Sequence, residues 1–135
     1  MPVVNNQTSH RILLADDDPV VRHMVASVIK KIGFIPVIAT NGREAYRILQ
    51  LDSDFKGAIF DMMMPYLKGI DIIRYMRTEK RLMRIPVMMM TSEQDLKVMM
   101  SSFAAGATLF LPKPFTSEQL QTTLGMLVGA STIGN

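Results

Sequence analysis

The chain has 135 residues, enough for one domain, with 48% hydrophobic and 20% charged residues and a net charge of +3. That balance excludes a disordered chain, which needs lower hydrophobicity and more uncompensated charge. The absence of cysteine excludes disulfide frameworks, thiolate metal sites and cysteine nucleophiles.

Residues 1–9 read as a flexible polar leader, without the basic and apolar regions of a signal peptide. No run approaches the ~18 apolar residues of a membrane span, so a cytoplasmic location and no membrane partner are expected. Ile12-Leu13-Leu14-Ala15 is a short apolar strand that stops at Asp16-Asp17-Asp18. Asp18 followed by Pro19 starts a helix, because the carboxylate caps free amides and proline is tolerated at the first position. Its apolar stripe is Val21, Met24, Val25, Val28 and Ile32, and Gly33 ends it. Phe34 to Ala39 is a second strand, and Asn41-Gly42 leads into a helix with Ala45, Ile48 and Leu49 inward.

The unit then repeats. Ala58-Ile59-Phe60 ends at Asp61, and Ile70 to Arg77 reads as a helix. Val87 to Met90 ends at Thr91-Ser92, with its methionines as core filler. Leu96, Met99, Met100 and Phe103 mark a fourth helix closed by Gly106. Leu109-Phe110-Leu111 is the fifth strand, and Leu120, Leu124, Leu127 and Val128 mark the fifth helix. The domain is expected over residues 10–128, with 129–135 a flexible tail. Five apolar strands alternating with five helices predict an α/β, doubly wound (βα)5 fold with a parallel sheet covered on both faces.

Ligands of such sheets sit beyond the carboxyl ends of the strands. Asp16, Asp17, Asp61, Thr91 and Lys113 all fall there. Carboxylates crowded together need a compensating cation, and hard oxygen ligands without cysteine or nearby histidine favour Mg²⁺. A metal, a carboxylate, a hydroxyl and an ammonium are the equipment of phosphoryl transfer.

At these residues the sequence resembles the receiver domain of two-component response regulators. Ile12 to Pro19 is similar to the family's first strand and acidic pair, and Phe60-Asp61-Met62-Met63-Met64-Pro65 with Gly69 and Asp71 to its acceptor loop. Val87 to Ser92 resembles its fourth strand, and Gly106-Ala107 through Leu111-Pro112-Lys113-Pro114-Phe115 its lysine-proline motif. The resemblance, of the chemotaxis type with a single domain, implies a flavodoxin-like strand order 2-1-3-4-5 and a cis Lys113–Pro114 bond. It implies that Asp61 accepts a phosphoryl group from a histidine kinase or a histidine phosphotransfer protein. Mg²⁺ would be held by Asp17, Asp61 and the Met63 backbone carbonyl, with Asp16 acting mainly through a metal-bound water. Thr91 and Lys113 would contact the phosphoryl group, and Thr91 and Phe110 would be the switch pair. For Phe110, an ordinary core role is equally open.

The resemblance also implies that the phosphorylated state is read by a downstream protein partner on the face of the fourth helix, fifth strand and fifth helix; that face is nearly uncharged here, so the chain itself is expected to stay a monomer. Met63 is expected to slow loss of the phosphoryl group, with Glu93 as partial counterweight. Two other readings stay open. One is a magnesium-dependent phosphohydrolase of the haloacid dehalogenase type, which needs a second aspartate where Met63 stands. The other is a receiver-like binding module that is never phosphorylated. Arg74, Arg77, Arg81 and Arg84 read as a solvated face, so direct nucleic-acid binding is not expected. His10 and His23 read as ordinary exposed histidines.

Overall fold

The computed structural model describes residues 9–92 and 96–133. The elements run β1 (Arg11–Ala15), α1 (Pro19–Lys31), β2 (Ile35–Ala39), α2 (Gly42–Leu51), β3 (Gly57–Asp61), α3 (Gly69–Thr78), β4 (Val87–Thr91), α4 (Leu96–Ala105), β5 (Leu109–Pro112) and α5 (Ser117–Ile133). All strand pairs are parallel and the order is β2-β1-β3-β4-β5. The expected architecture and strand order are both observed.

Alternation along the central strands sorts the core into two layers. Ile12 and Leu14, Ile59, and Met88 and Met90 point to one face, where Val25, Val28 and Ile29 of α1 meet Leu120, Leu124 and Leu127 of α5. Leu13, Ala58, Phe60, Val87 and Met89 point to the other, against Ala45 and Leu49 of α2 and Ile72, Ile73 and Met76 of α3. Burying these side chains stabilises by about 25 cal/mol per Å² of apolar surface, the main force holding the layers together.

Local signals explain the helix ends. Asp18 accepts from the Val20 N–H at 2.9 Å, and Pro19 follows as the first helical residue. At the other end Gly33 adopts φ +93, a left-handed conformation that ends α1 without a Cβ penalty. Asn41 accepts from the Glu44 N–H at 2.8 Å while Glu44 accepts from the Thr40 N–H at 2.7 Å. The Lys113–Pro114 bond is cis, as expected.

Two expectations need correcting, and the faces of α4 become visible. Burial on both faces holds for β3 and β4, but β2, with a neighbouring strand on one side only, exposes Ile35 and Ile38. On α4, Leu96, Met100 and Phe103 are exposed, and the inward positions are Val98, Ser102 and Ala105. Finally, α5 continues to Ile133, so the expected tail is helical from 129 to 133. One glycine costs only about 1 kcal/mol inside a helix, too little to stop one already anchored by Leu120, Leu124 and Leu127. The leader up to residue 8, and Glu93, lie outside the described residues. Among the described residues no helix is long and apolar enough to cross a membrane.

Candidate functional site

Register places the site. Ala15 pairs with Phe60, so Asp16, one residue on, comes level with Asp61 at the end of β3. Asp61 pairs with Met90 and Thr91 with Pro112, which carries Lys113 to the same edge. The Lys113 N–H then donates to the Thr91 carbonyl at 2.8 Å, extending the β4–β5 ladder by one bond.

The two leading aspartates, expected to play direct and indirect roles, sit in different environments. Asp16 is fully buried. One of its carboxylate oxygens accepts from the Asp18 N–H at 2.8 Å, and the other lies 3.0 Å from Lys113 Nζ. Its backbone carbonyl also accepts from Arg22 at 3.0 Å. Asp17 is exposed. Carboxylate oxygens of Asp16, Asp17 and Asp61 lie within 4.8 Å of one another. Lys113 Nζ sits between two of them, 3.5 Å from Asp61 and nearer still to Asp16.

Burial, reinforced by the negative charge of Asp16, pushes the Asp61 carboxyl up to about 6, while Lys113 and the Met63 N–H work against the rise. Burial also works against the Lys113 ammonium, yet the hydrogen bond and charge of Asp16, with Asp61 behind, raise it above the ordinary lysine value. Lys113 therefore serves two of the three clustered carboxylates, and Asp61 is the one whose proton is held more tightly. A hard divalent cation fits this donor set of carboxylate oxygens.

Thr91 is fully buried at the end of β4. Met63 is 53% exposed between buried Met62 and Met64, so only the middle methionine reaches solvent. Phe110 is half-buried against the α2–α3 core, with its ring 6.4 Å from that of Phe103. His10 and His23 are both exposed.

Two arginines of the expected solvated face also bond backbone carbonyls, half-buried Arg77 and exposed Arg81. Arg77 donates to the Gly106 carbonyl from Nε at 3.1 Å and Nη2 at 2.8 Å, and from Nη1 to those of Met83 at 3.1 Å and Ile85 at 2.9 Å. Arg81 donates to the Leu49 carbonyl at 3.1 Å, at the end of α2. Arg74 stays on the surface, 3.8 Å from Asp71, and Arg84 is exposed. No continuous basic stripe forms.

A family model described as the response regulator receiver domain matches residues 12–125. The chain belongs to that family. This receiver domain is 29% identical over 122 residues to the chemotaxis protein CheY1 of Helicobacter pylori, covering 90% of this chain and 98% of the relative. The solved structure of the chemotaxis response regulator CheY4 of Vibrio cholerae is 31% identical, with a TM-score of 0.82 over 89% of this chain and 99% of that one. The same fold appears, at 24% identity and a TM-score of 0.80, in the receiver domain of sensor histidine kinase PA1611 of Pseudomonas aeruginosa, whose structure has a magnesium ion coordinated in the active site cleft. The match covers 90% of this chain and 99% of that one. The receiver domain is thus a chemotaxis-type module of two-component signalling, a class of signalling proteins and not of classical enzymes.

Proposed function

We propose that Asp61 is the phospho-acceptor, taking a phosphoryl group from a phosphohistidine of a histidine kinase or histidine phosphotransfer protein. The observation that carries this reading is the placement of the Asp61 carboxylate within 3.5 Å of Lys113 Nζ and within the Asp16–Asp17 cluster. A carboxyl held at about 6 is ionised at neutral pH and more basic than an ordinary aspartate, which favours nucleophilic attack. An Asp61 oxygen attacks phosphorus in line with the leaving group. The P–N bond breaks, its electron pair leaves with the imidazole nitrogen, and that nitrogen takes a proton from solvent. Lys113, freed from one carboxylate charge as the acyl phosphate forms, pairs with the transferred oxygens, and the Thr91 hydroxyl donates a hydrogen bond to them.

Asp17, Asp61 and the Met63 carbonyl would hold Mg²⁺, and Asp16, whose oxygens already serve Asp18 and Lys113, would act through water. When bound, the metal neutralises charge on the transferred phosphoryl group. Acetyl phosphate with Mg²⁺ is expected to add one phosphoryl group, read by intact mass, and Asp61→Asn to abolish it. Undiminished labelling of that variant overturns the assignment and leaves the receiver-like binding module as the better reading. The haloacid dehalogenase alternative has no support, since the position of its second aspartate is Met63.

The phosphorylated state is read by a downstream protein on the face of α4, β5 and α5, with Phe110 and Thr91 as the switch pair. The chain remains a monomer in this reading, because Lys113 and Glu118 are the only charges from Ala107 to Asn135 and ion-pair networks there lack partners. Light scattering with beryllofluoride at low and high salt should give one monomeric mass throughout. A dimer that forms with beryllofluoride and dissociates at high salt contradicts this.

A further inference from the structure

Residues 62–68, between β3 and α3, include one side chain at odds with its backbone. Tyr66 has φ +75, in the left-handed region, which bulky side chains rarely enter and which persists only where the surroundings over-determine it. Glycine would take that conformation freely. Tyr66 is 68% exposed, so burial of the ring does not explain the choice either.

What holds it is α2. The Arg43 guanidinium lies 4.2 Å from the centroid of the Tyr66 ring, within the range of a cation–π contact. The next residue, Leu67, rests its carbonyl on Gly42, where any Cβ would overlap the oxygen. The far end of the loop is fastened to β3: Gly69 donates to the Met62 carbonyl at 3.1 Å and packs on the Asp61 carbonyl with no room for a Cβ. Met63 lies between these two attachments.

We propose that Tyr66, clamped by Arg43, is a positioning residue for the acceptor loop, fixing the backbone around Met63 and so the strength of cation binding beside Asp17 and Asp61. The proposal rests on the reading that Mg²⁺ binds there. The clamp acts on the loop alone, because neither residue belongs to the carboxylate cluster. A loop that visits its competent arrangement for a smaller fraction of the time binds more weakly in proportion.

The test is calorimetric titration of the whole chain with MgCl₂, beside thermal unfolding without metal, for wild type, Tyr66→Phe, Tyr66→Gly and Arg43→Gln. Tyr66→Phe keeps the ring and should stay within about twofold of wild type. Tyr66→Gly loses the ring together with the left-handed penalty. It should unfold at the same temperature or higher, yet bind Mg²⁺ about three- to tenfold more weakly. Arg43→Gln should weaken binding in the same direction. A bare charge effect would do the reverse, since removing a cation favours a second one. Tyr66→Gly binding as tightly as wild type, or affinity and unfolding temperature falling in step across the variants, overturns the proposal. A wild-type chain that takes up no Mg²⁺ overturns the reading beneath it as well.

Discussion

Two cations are drawn into this receiver domain, and they are surrounded in opposite ways. Lys113 sits against the carboxylates of Asp16 and Asp61 at the carboxyl edge of the sheet, and its proton is held more tightly than an ordinary lysine's. Arg77 sits near the other end of α3, where it donates to three backbone carbonyls, and burial pulls its pKa down. The contrast separates a charge placed for exchange from a charge placed as a tie. In the proposed function the ammonium exchanges one carboxylate for a phosphoryl group. A guanidinium holding the carbonyls of Gly106, Met83 and Ile85 cannot move without releasing both the end of α4 and the turn before β4. Gly106 shows how close the fit is: at φ +117 it has no Cβ, and one built there would meet the Arg77 side chain.

Breaking the tie should have the largest effect on stability. Arg77→Ala strips these carbonyls of charge-assisted donors and is expected to cost about 3 kcal/mol in urea unfolding. Mg²⁺ affinity should stay unchanged, because the carboxylate cluster is untouched. Arg77→Lys should recover only part of the loss, since an ammonium does not reproduce the planar fork. A loss under about 0.5 kcal/mol for Arg77→Ala would show that the carbonyls are served as well by water.

The exchange site should behave in the opposite sense, with removal of charge stabilising. Asp61 binds its proton more tightly in the folded chain, at about 6, than at the ordinary value of 3.8. Its contribution is therefore full below pH 3.8 and lost as pH rises through about 6. Above that window the ionised group leaves the wild type destabilised by roughly 2–3 kcal/mol relative to low pH. Asp61→Asn should remove this slope and unfold several degrees higher than wild type at pH 7.5 without metal. A variant with the same pH slope as wild type would place the strain on another group.

The smallest effect separates the two leading aspartates. Asp17 is exposed and uncommitted to the Lys113 contact, whereas Asp16 is buried and bonded at both oxygens. Asp17→Ala is expected to weaken Mg²⁺ binding by roughly tenfold, about 1.4 kcal/mol. Asp16→Ala should weaken it less, by calorimetry on variants that unfold cooperatively. Equal affinities would contradict direct and indirect roles.

Sequence alone carried the architecture far. Five apolar runs each followed by an amphipathic helix leave few stable arrangements besides a covered parallel sheet, because connections between parallel strands must cross a face. Strand-end position then brought Asp16, Asp17, Asp61, Thr91 and Lys113 to one edge, since every parallel strand finishes on the same side. Helix starts at Asp18 and Asn41 were legible because capping is a local reaction between a side chain and the next few amides.

Other features depended on contacts between residues distant in sequence, which composition and spacing do not encode. Buried Asp16 meets Lys113, just past β5 and 97 residues away, while its neighbour Asp17 is exposed. That Leu96, Met100 and Phe103 form an outward stripe needed the fold, because apolar spacing predicts a helix without saying which face the sheet will cover. Arg77 looked like solvated charge because a backbone carbonyl leaves no signature in a sequence, so only the fold reveals which carbonyls want a donor. Tyr66 belongs to the same class: the positive φ that makes it unusual, and the arginine from α2 that holds it, exist only once the chain has folded.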